Sequence, residues 1–249
     1  MNEKPYCGKA NMADDYTIMY FRIRQGIGVL GMLLPFLCPL AVLLFGKSGV
    51  WQPTISHYYF SVAHIAFVGI LVVIGALLVA YRGRSSRENW LSNFLGLLAF
   101  LVAIFPTTTT EFIEQDQLYI SVNSYPTGTS TVHNSSAAML LFGFAIYCLS
   151  FFQCQDPKVE RAPADKPAKK KFRNRLYKIC GWAIIISLAL AAYYHNFGNN
   201  RLLGLKIHPV YFFETTSLLA FGFAWLVKGS VLWFESKSKF VRKMYYWFR

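Results

Sequence analysis

Six apolar runs constrain this chain more than anything else in it: residues 28–46, 62–80, 90–106, 137–152, 179–194 and 210–233. Each is close to the roughly 17–25 residues that a helix needs to cross a hydrocarbon core about 30 Å thick. The expected fold is all-α and polytopic. It is a single transmembrane domain over 1–249 with six transmembrane helices, at about 26–46, 60–81, 90–106, 134–153, 177–196 and 209–234. The third run is the weakest, because it holds Ser92 and Asn93 and stops at Pro106. Composition points the same way: only 15% of the 249 residues are charged, against about 25% in soluble domains.

The formal charge of +13 fits nucleic acid by its size but not by its placement. Of the 25 Lys and Arg residues, 22 fall in the N-terminal segment, the second loop, the fourth loop and the C-terminal stretch. The first, third and fifth loops hold only Lys47, Arg201 and Lys206. The positive-inside rule then predicts an N-in/C-in topology, with both termini cytoplasmic. No nucleic-acid partner is needed. The basic excess instead favours membrane lipids, anionic ones on the inner leaflet. Residues 1–20 are polar and the first apolar run is a full span, so no cleavable signal peptide is expected. None of the five cysteines (Cys7, Cys38, Cys148, Cys154, Cys180) falls in an outer loop, so structural disulfides are not expected.

Two motif matches fail on context. GIGVLG at 26–31 has the glycines of a dinucleotide fingerprint, but it opens a membrane run rather than following a strand. GKS at 46–48 lacks the leading glycine of a phosphate-binding loop, because position 41 is Ala41. The third loop, about 107–133, has no Lys or Arg and carries Glu111, Glu114 and Asp116. Within it, LYISV at 118–122 and the alternation near Ser130–Val132 flank YPTG at 125–128, which predicts a small outer β-hairpin. Residues 154–176, rich in Pro, Ala and Lys, read as a flexible basic cytoplasmic linker. Residues 235–249 read as an interfacial basic-aromatic tail, with Lys237, Lys239, Arg242, Lys243 and Trp247 as inner-leaflet lipid contacts.

The chemistry gathers at the outer ends of the spans. PTISHYYFSVAH at 53–64 leads into the second run. On a helix starting near Ile55, His57, Ser61 and His64 would share one face. His133, Ser135 and Ser136 open the fourth span, His195 ends the fifth, and His208 opens the sixth. Glu214 lies about 9 Å deeper than His208 by the 1.5 Å helical rise. An ionisable residue inside a span marks a functional site by default. The ligand-binding candidates are Glu214, His64, His133, His208, His57, Ser61, Tyr58 and Ser136. Tyr58 and Tyr59 read more readily as aromatic-belt anchors than as ligand contacts, and Ser135 and Ser136 as caps of the fourth span. Imidazoles with a carboxylate suit zinc, which makes His64, His133, His208 and Glu214 a candidate metal set. Yet no HExxH, HxxxH or CxxC is present, and His208 and Glu214 are about 120° apart on a helix.

Several stretches carry a resemblance: RIRQGIGVLGMLLP (22–35), ISHYYFSVAHIAFVGILVVIGALLVAYRG (55–83), NWLSNFLGLLAFLVAIFPT (89–107), VHNSSAAMLLF (132–142) and PVYFFETTSLLAFGFAWLVKG (209–229). Together they resemble a family of uncharacterised bacterial six-span inner-membrane proteins. The resemblance implies topology and a multi-pass bacterial inner (plasma) membrane location, but no activity. Where that family often has Arg-Asp after the tyrosines, this chain has His64-Ile65. A looser similarity, on membrane histidines, serine and acid, is to the CREST membrane hydrolases (alkaline ceramidases and progestin/adiponectin-type receptors). These have seven spans and paired late-helix histidines that are absent here. Three functional readings follow. The first is a non-enzymatic protein with an outer-leaflet polar pocket for a lipid headgroup or small ligand. The second is a zinc-dependent hydrolase acting on lipid, and the third is a homo-oligomeric sensor or pore. Retained lipid, tightly bound zinc and a bilayer conductance would separate them.

Overall fold

A computed structural model of the chain describes residues 12–46, 51–107, 126, 128–154, 167–197 and 208–235. Six α-helices lie among them: α1 (Met12–Phe45), α2 (His64–Ala80), α3 (Ser86–Ile104), α4 (Thr129–Ile146), α5 (Pro167–Phe197) and α6 (Pro209–Glu235). A 3-10 helix, Ile55–Phe60, precedes α2, and a π-helical turn, Tyr147–Phe151, continues α4. The helices pack as a ring in chain order, and α6 closes it against α1.

Four of these helices, rather than the expected six, are long and apolar enough to cross a membrane: Met19–Phe45, Thr129–Phe151, Lys170–Phe197 and Pro209–Gly229. They make the chain a multi-pass helical membrane protein. The second expected span fails on length. α2 is apolar but has 17 residues, about 25 Å of helix against a core of about 30 Å. It is short because residues 55–60 wind as a 3-10 helix and Ser61 is extended, at φ −102° and ψ 179°. The third expected span fails on polarity, with Arg87, Glu88, Asn89, Ser92 and Asn93 in the first two turns of α3.

The expected outer hairpin is also overturned, since no strand occurs among the described residues. Ser130–Val132, read as its second arm, is the first turn of α4. Gly128 caps that helix with φ +96°, a left-handed conformation that glycine adopts without steric cost. Ser135 and Ser136 therefore lie inside α4 rather than capping it. Residues 118–122 lie outside the described residues, as do 155–166 of the expected linker and 236–249 of the tail, with Lys237, Lys239, Arg242, Lys243 and Trp247. Residues 167–176 belong to α5.

Two buried clusters fill the ring. One joins Ile27, Leu78, Leu95, Phe144, Phe221 and Trp225. At that end Arg24 is 1% exposed. Its Nη2 donates to the Tyr81 hydroxyl at 2.6 Å and also to the Tyr20 hydroxyl. The guanidinium lies 4.1 Å from the Tyr20 ring centroid. The Tyr81 hydroxyl in turn donates to Glu88 Oε1 at 2.8 Å, and Glu88 Oε2 accepts from the Arg84 amide at 2.8 Å. A tyrosine hydroxyl thus bridges a buried cation to a buried carboxylate across α1, α2 and α3, which is how two such charges are tolerated away from water.

The second cluster, with Leu34, Cys38, Tyr58, Phe67, Val102 and Tyr211, fills the opposite end. There α1 contains Pro35 and Pro39. A proline inside a helix leaves the carbonyl four residues back without its amide partner. The Tyr211 hydroxyl of α6 donates to the Pro35 carbonyl and fills that gap.

α1 and α6 approach at glycines. A Cβ on Gly28 would lie 2.8 Å from the Gly222 carbonyl oxygen, and one on Gly222 would lie 2.5 Å from that of Gly28. Small residues let membrane helices approach this closely. Gly222→Ala should therefore push α1 from α6 and destabilise by about 1–3 kcal/mol, the usual cost of overpacking. Gly69→Ala, where a Cβ meets nothing within 4 Å, is the control. Thermal unfolding in detergent checks this; equal midpoints for the two variants would contradict it.

Candidate functional site

The segment 53–60 is built by side chains competing for backbone. Thr54, in an extended conformation, caps the 3-10 helix by accepting from the His57 amide at 3.2 Å. Its hydroxyl also lies 2.5 Å from His57 Nδ1. At the other end the Ser61 hydroxyl donates to the Tyr58 carbonyl at 2.8 Å and accepts from the Ala63 amide at 3.1 Å, which ends the 3-10 turn and starts α2. The helical face expected to carry His57, Ser61 and His64 together therefore does not form.

This segment is tied to α6 by two bonds. The Ile55 amide donates to Glu214 Oε2 at 2.7 Å. The Tyr211 amide donates to the Pro53 carbonyl at 3.2 Å. A carboxylate receiving an amide at the start of a helical turn is favourable both as a charge-assisted bond and against the local dipole. Glu214 Oε1 has no hydrogen-bond partner among the described residues.

Beside these bonds lies a cavity of about 440 Å³. Its polar wall includes Glu214, His57, His195, His208, Asn134 and Ser217. Ala137 and Ala138 of α4 and Ala191 and Ala192 of α5 face it with little bulk, and their small side chains leave the room. Two wall residues hold buried polar atoms with no hydrogen-bond partner among the described residues, His57 Nε2 and Ser217 Oγ. Their residues are 6% and 1% exposed. Such groups are rare in native structures and need an explanation.

Of the candidates read from the sequence, Glu214, His57 and His208 meet in this wall. The others lie elsewhere. His133 is fully buried behind it, with Nδ1 2.6 Å from the Phe105 carbonyl and Nε2 2.8 Å from the Ser56 hydroxyl. The carbonyl only accepts, so Nδ1 carries the proton and, in the neutral ring, Nε2 accepts from Ser56. His64 donates Nδ1–H to the Tyr59 carbonyl at 2.6 Å and stacks edge-on against the Tyr59 ring. Ser136 is buried on α4, outside the cavity wall. Tyr58 is fully buried and lines a smaller apolar cavity of about 220 Å³ beside Pro35 and Pro39. Ser61 serves the backbone as described.

His64, His133, His208 and Glu214 do not form a metal set, and no group of three His, Cys, Asp or Glu side chains among the described residues is placed to hold an ion. Both ring nitrogens of His133 and Nδ1 of His64 are already engaged. The residues do not fit zinc, and no chemistry is routed through it. Sequence reasoning did not single out Ser56, Thr107, Asn134 and Ser217. Only Ser217 left a signal: it lies three residues after Glu214 and so on the same side of α6. In comparisons with known proteins no family model matches the chain, and no curated protein or solved structure matches it.

Burial, reinforced by the nearby His133, His195 and His208, pushes the His57 imidazole from its ordinary 6.5 down to about 4. Burial also lowers His208. A folded-state value below the unfolded one means that the folded protein binds fewer protons. The stability is complete above about pH 6.5 and is lost as pH falls toward about 4. Across that window the unfolding midpoint should fall more steeply in the native protein than in His57→Gln. Parallel profiles would contradict this.

Proposed function

We propose that the protein is a non-enzymatic, multi-pass bacterial inner-membrane protein that binds a lipid headgroup or small ligand in the cavity beside Glu214. The observation that carries this reading is the wall itself. A carboxylate with one oxygen unengaged, a buried imidazole and a buried hydroxyl without partners surround one space of about 440 Å³. Ligand sites are commonly concave, with apolar walls and a few convergent polar groups, at about 300–1,000 Å³. A buried polar group without a partner costs free energy until a ligand or water satisfies it, and relief of that cost favours binding.

The charge asymmetry supports an orientation with the cavity toward the outer leaflet and with the termini and residues 154–178 in the cytoplasm. The basic segments then lie against anionic inner-leaflet lipid, where each Lys or Arg contributes about 1 kcal/mol near the surface.

The test is extraction and mass spectrometry of whatever stays bound through purification. The native protein should retain a headgroup-bearing lipid or small molecule that Glu214→Gln loses, while both variants keep the same helical content. Glutamine keeps an acceptor for the Ile55 amide, so the local turn survives. Equal retention by the two proteins would overturn the reading. For orientation, a cysteine at Asn134 should react with an impermeant reagent applied outside, and one at Asp165 should not; the reverse pattern would invert the topology.

A further inference from the structure

The chemistry of the wall narrows the ligand class, and this step rests on the cavity being a binding site. Glu214 is the one carboxyl group in the wall, and no Lys or Arg is among the described wall residues. Its Oε2 is committed to the Ile55 amide, which leaves Oε1 with acceptor capacity and no partner among the described residues. An anion placed here would meet the Glu214 carboxyl in a confined space with no Lys or Arg to offset its charge, whereas an ammonium favours the ionised form of that carboxyl. An ammonium would find a carboxyl group and further acceptor capacity, since Asn134, whose Oδ1 accepts from the Thr107 hydroxyl at 3.3 Å, and Thr107 also line the cavity.

His57 adds a second and independent requirement. Thr54 Oγ1 accepts from the His57 amide, so its own proton is available to Nδ1 at 2.5 Å. In the tautomer in which Nδ1 takes that proton, Nε2 of the neutral ring is a buried donor without a partner among the described residues. The depressed basicity of His57 keeps the ring neutral near pH 7. The His57 imidazole therefore does not supply the positive charge that an anionic ligand would need.

We propose that the cavity takes a primary amine that carries a nearby hydrogen-bond acceptor, with the ammonium on Glu214 and the acceptor toward His57. The chemistry is that of an amino alcohol, free in solution or as the phosphoethanolamine headgroup of a lipid. The headgroup and the soluble amine make the same contacts, and the difference lies in the tether.

The test uses the full-length protein in detergent and follows its thermal midpoint and binding isotherm with three soluble probes of one size: 2-aminoethanol, ethylene glycol and glycolate. 2-Aminoethanol should bind at least about tenfold more tightly than glycolate, the scale of one charge-assisted hydrogen bond. Glu214→Gln should abolish the preference, with its unfolding midpoint in the absence of ligand staying near that of the native protein. Ala192→Leu, which narrows the cavity without touching Glu214, should weaken every probe that enters. Monomeric short-chain phosphatidylethanolamine and phosphatidylglycerol make the second arm. Binding of phosphatidylethanolamine where 2-aminoethanol is silent supports the inference with a lipid source; binding of 2-aminoethanol alone supports it with a soluble source. Glycolate or phosphatidylglycerol binding as well as the amine, with Ala192→Leu still blocking, overturns the amine inference and leaves the cavity reading standing. If no probe binds and no ligand is retained through purification, both fall.

Discussion

The bond from the Ile55 amide to the Glu214 carboxylate is the constraint on which this end of the molecule depends. A carboxylate within a membrane helix costs several kcal/mol unless it is paired or hydrated. Here it is half-buried and receives the first amide of a 3-10 turn. That one contact fixes where α6 stands relative to segment 53–60. The Tyr211 amide and hydroxyl extend the tie, one to Pro53 and the other to Pro35 in the kink-prone stretch of α1. Three polar groups within one turn of α6 thus hold two separate pieces of chain.

The two ends of the ring solve the same problem in different ways. At one end Arg24 and Glu88 are closed off together, with Tyr81 as the bridge and aromatic rings around them. That arrangement spends its polar groups on each other and suits a structural role. At the other end Glu214, His57 and Ser217 are only partly paired and border open space. Both ends also keep buried polar atoms without a partner among the described residues, Tyr177 Oη and Trp225 Nε1 at the first and His57 Nε2 and Ser217 Oγ at the second, but only the second pair lines the cavity.

The sequence made the long apolar helices and the ionisable Glu214 within one of them easy to see, because both depend on a residue and its immediate neighbours. It hid the breaks in the second run. ISHYYFSVAH contains no proline or glycine, so it reads as the start of a helix, and only the bonds of Thr54 and Ser61 to nearby backbone divert it into a 3-10 turn. It also hid Arg24, which counts toward the inner-surface charge by position but is buried against Tyr81, 57 residues away in the chain, whose hydroxyl in turn donates to Glu88. His64 and His133 looked equivalent to His57 and His208. They differ because backbone carbonyls at Tyr59 and Phe105 take up their protons, which spacing does not reveal. Thr129–Val132 alternates like a strand yet opens α4, since the left-handed Gly128 starts a helix there.

The most direct measurement is an experimental structure of the protein in lipid nanodiscs containing phosphatidylethanolamine. The account predicts Glu214 Oε2 on the Ile55 amide and non-protein density in the cavity, within hydrogen-bonding distance of Glu214 Oε1. A Glu214 side chain turned toward lipid, or a cavity closed by neighbouring side chains, would contradict it.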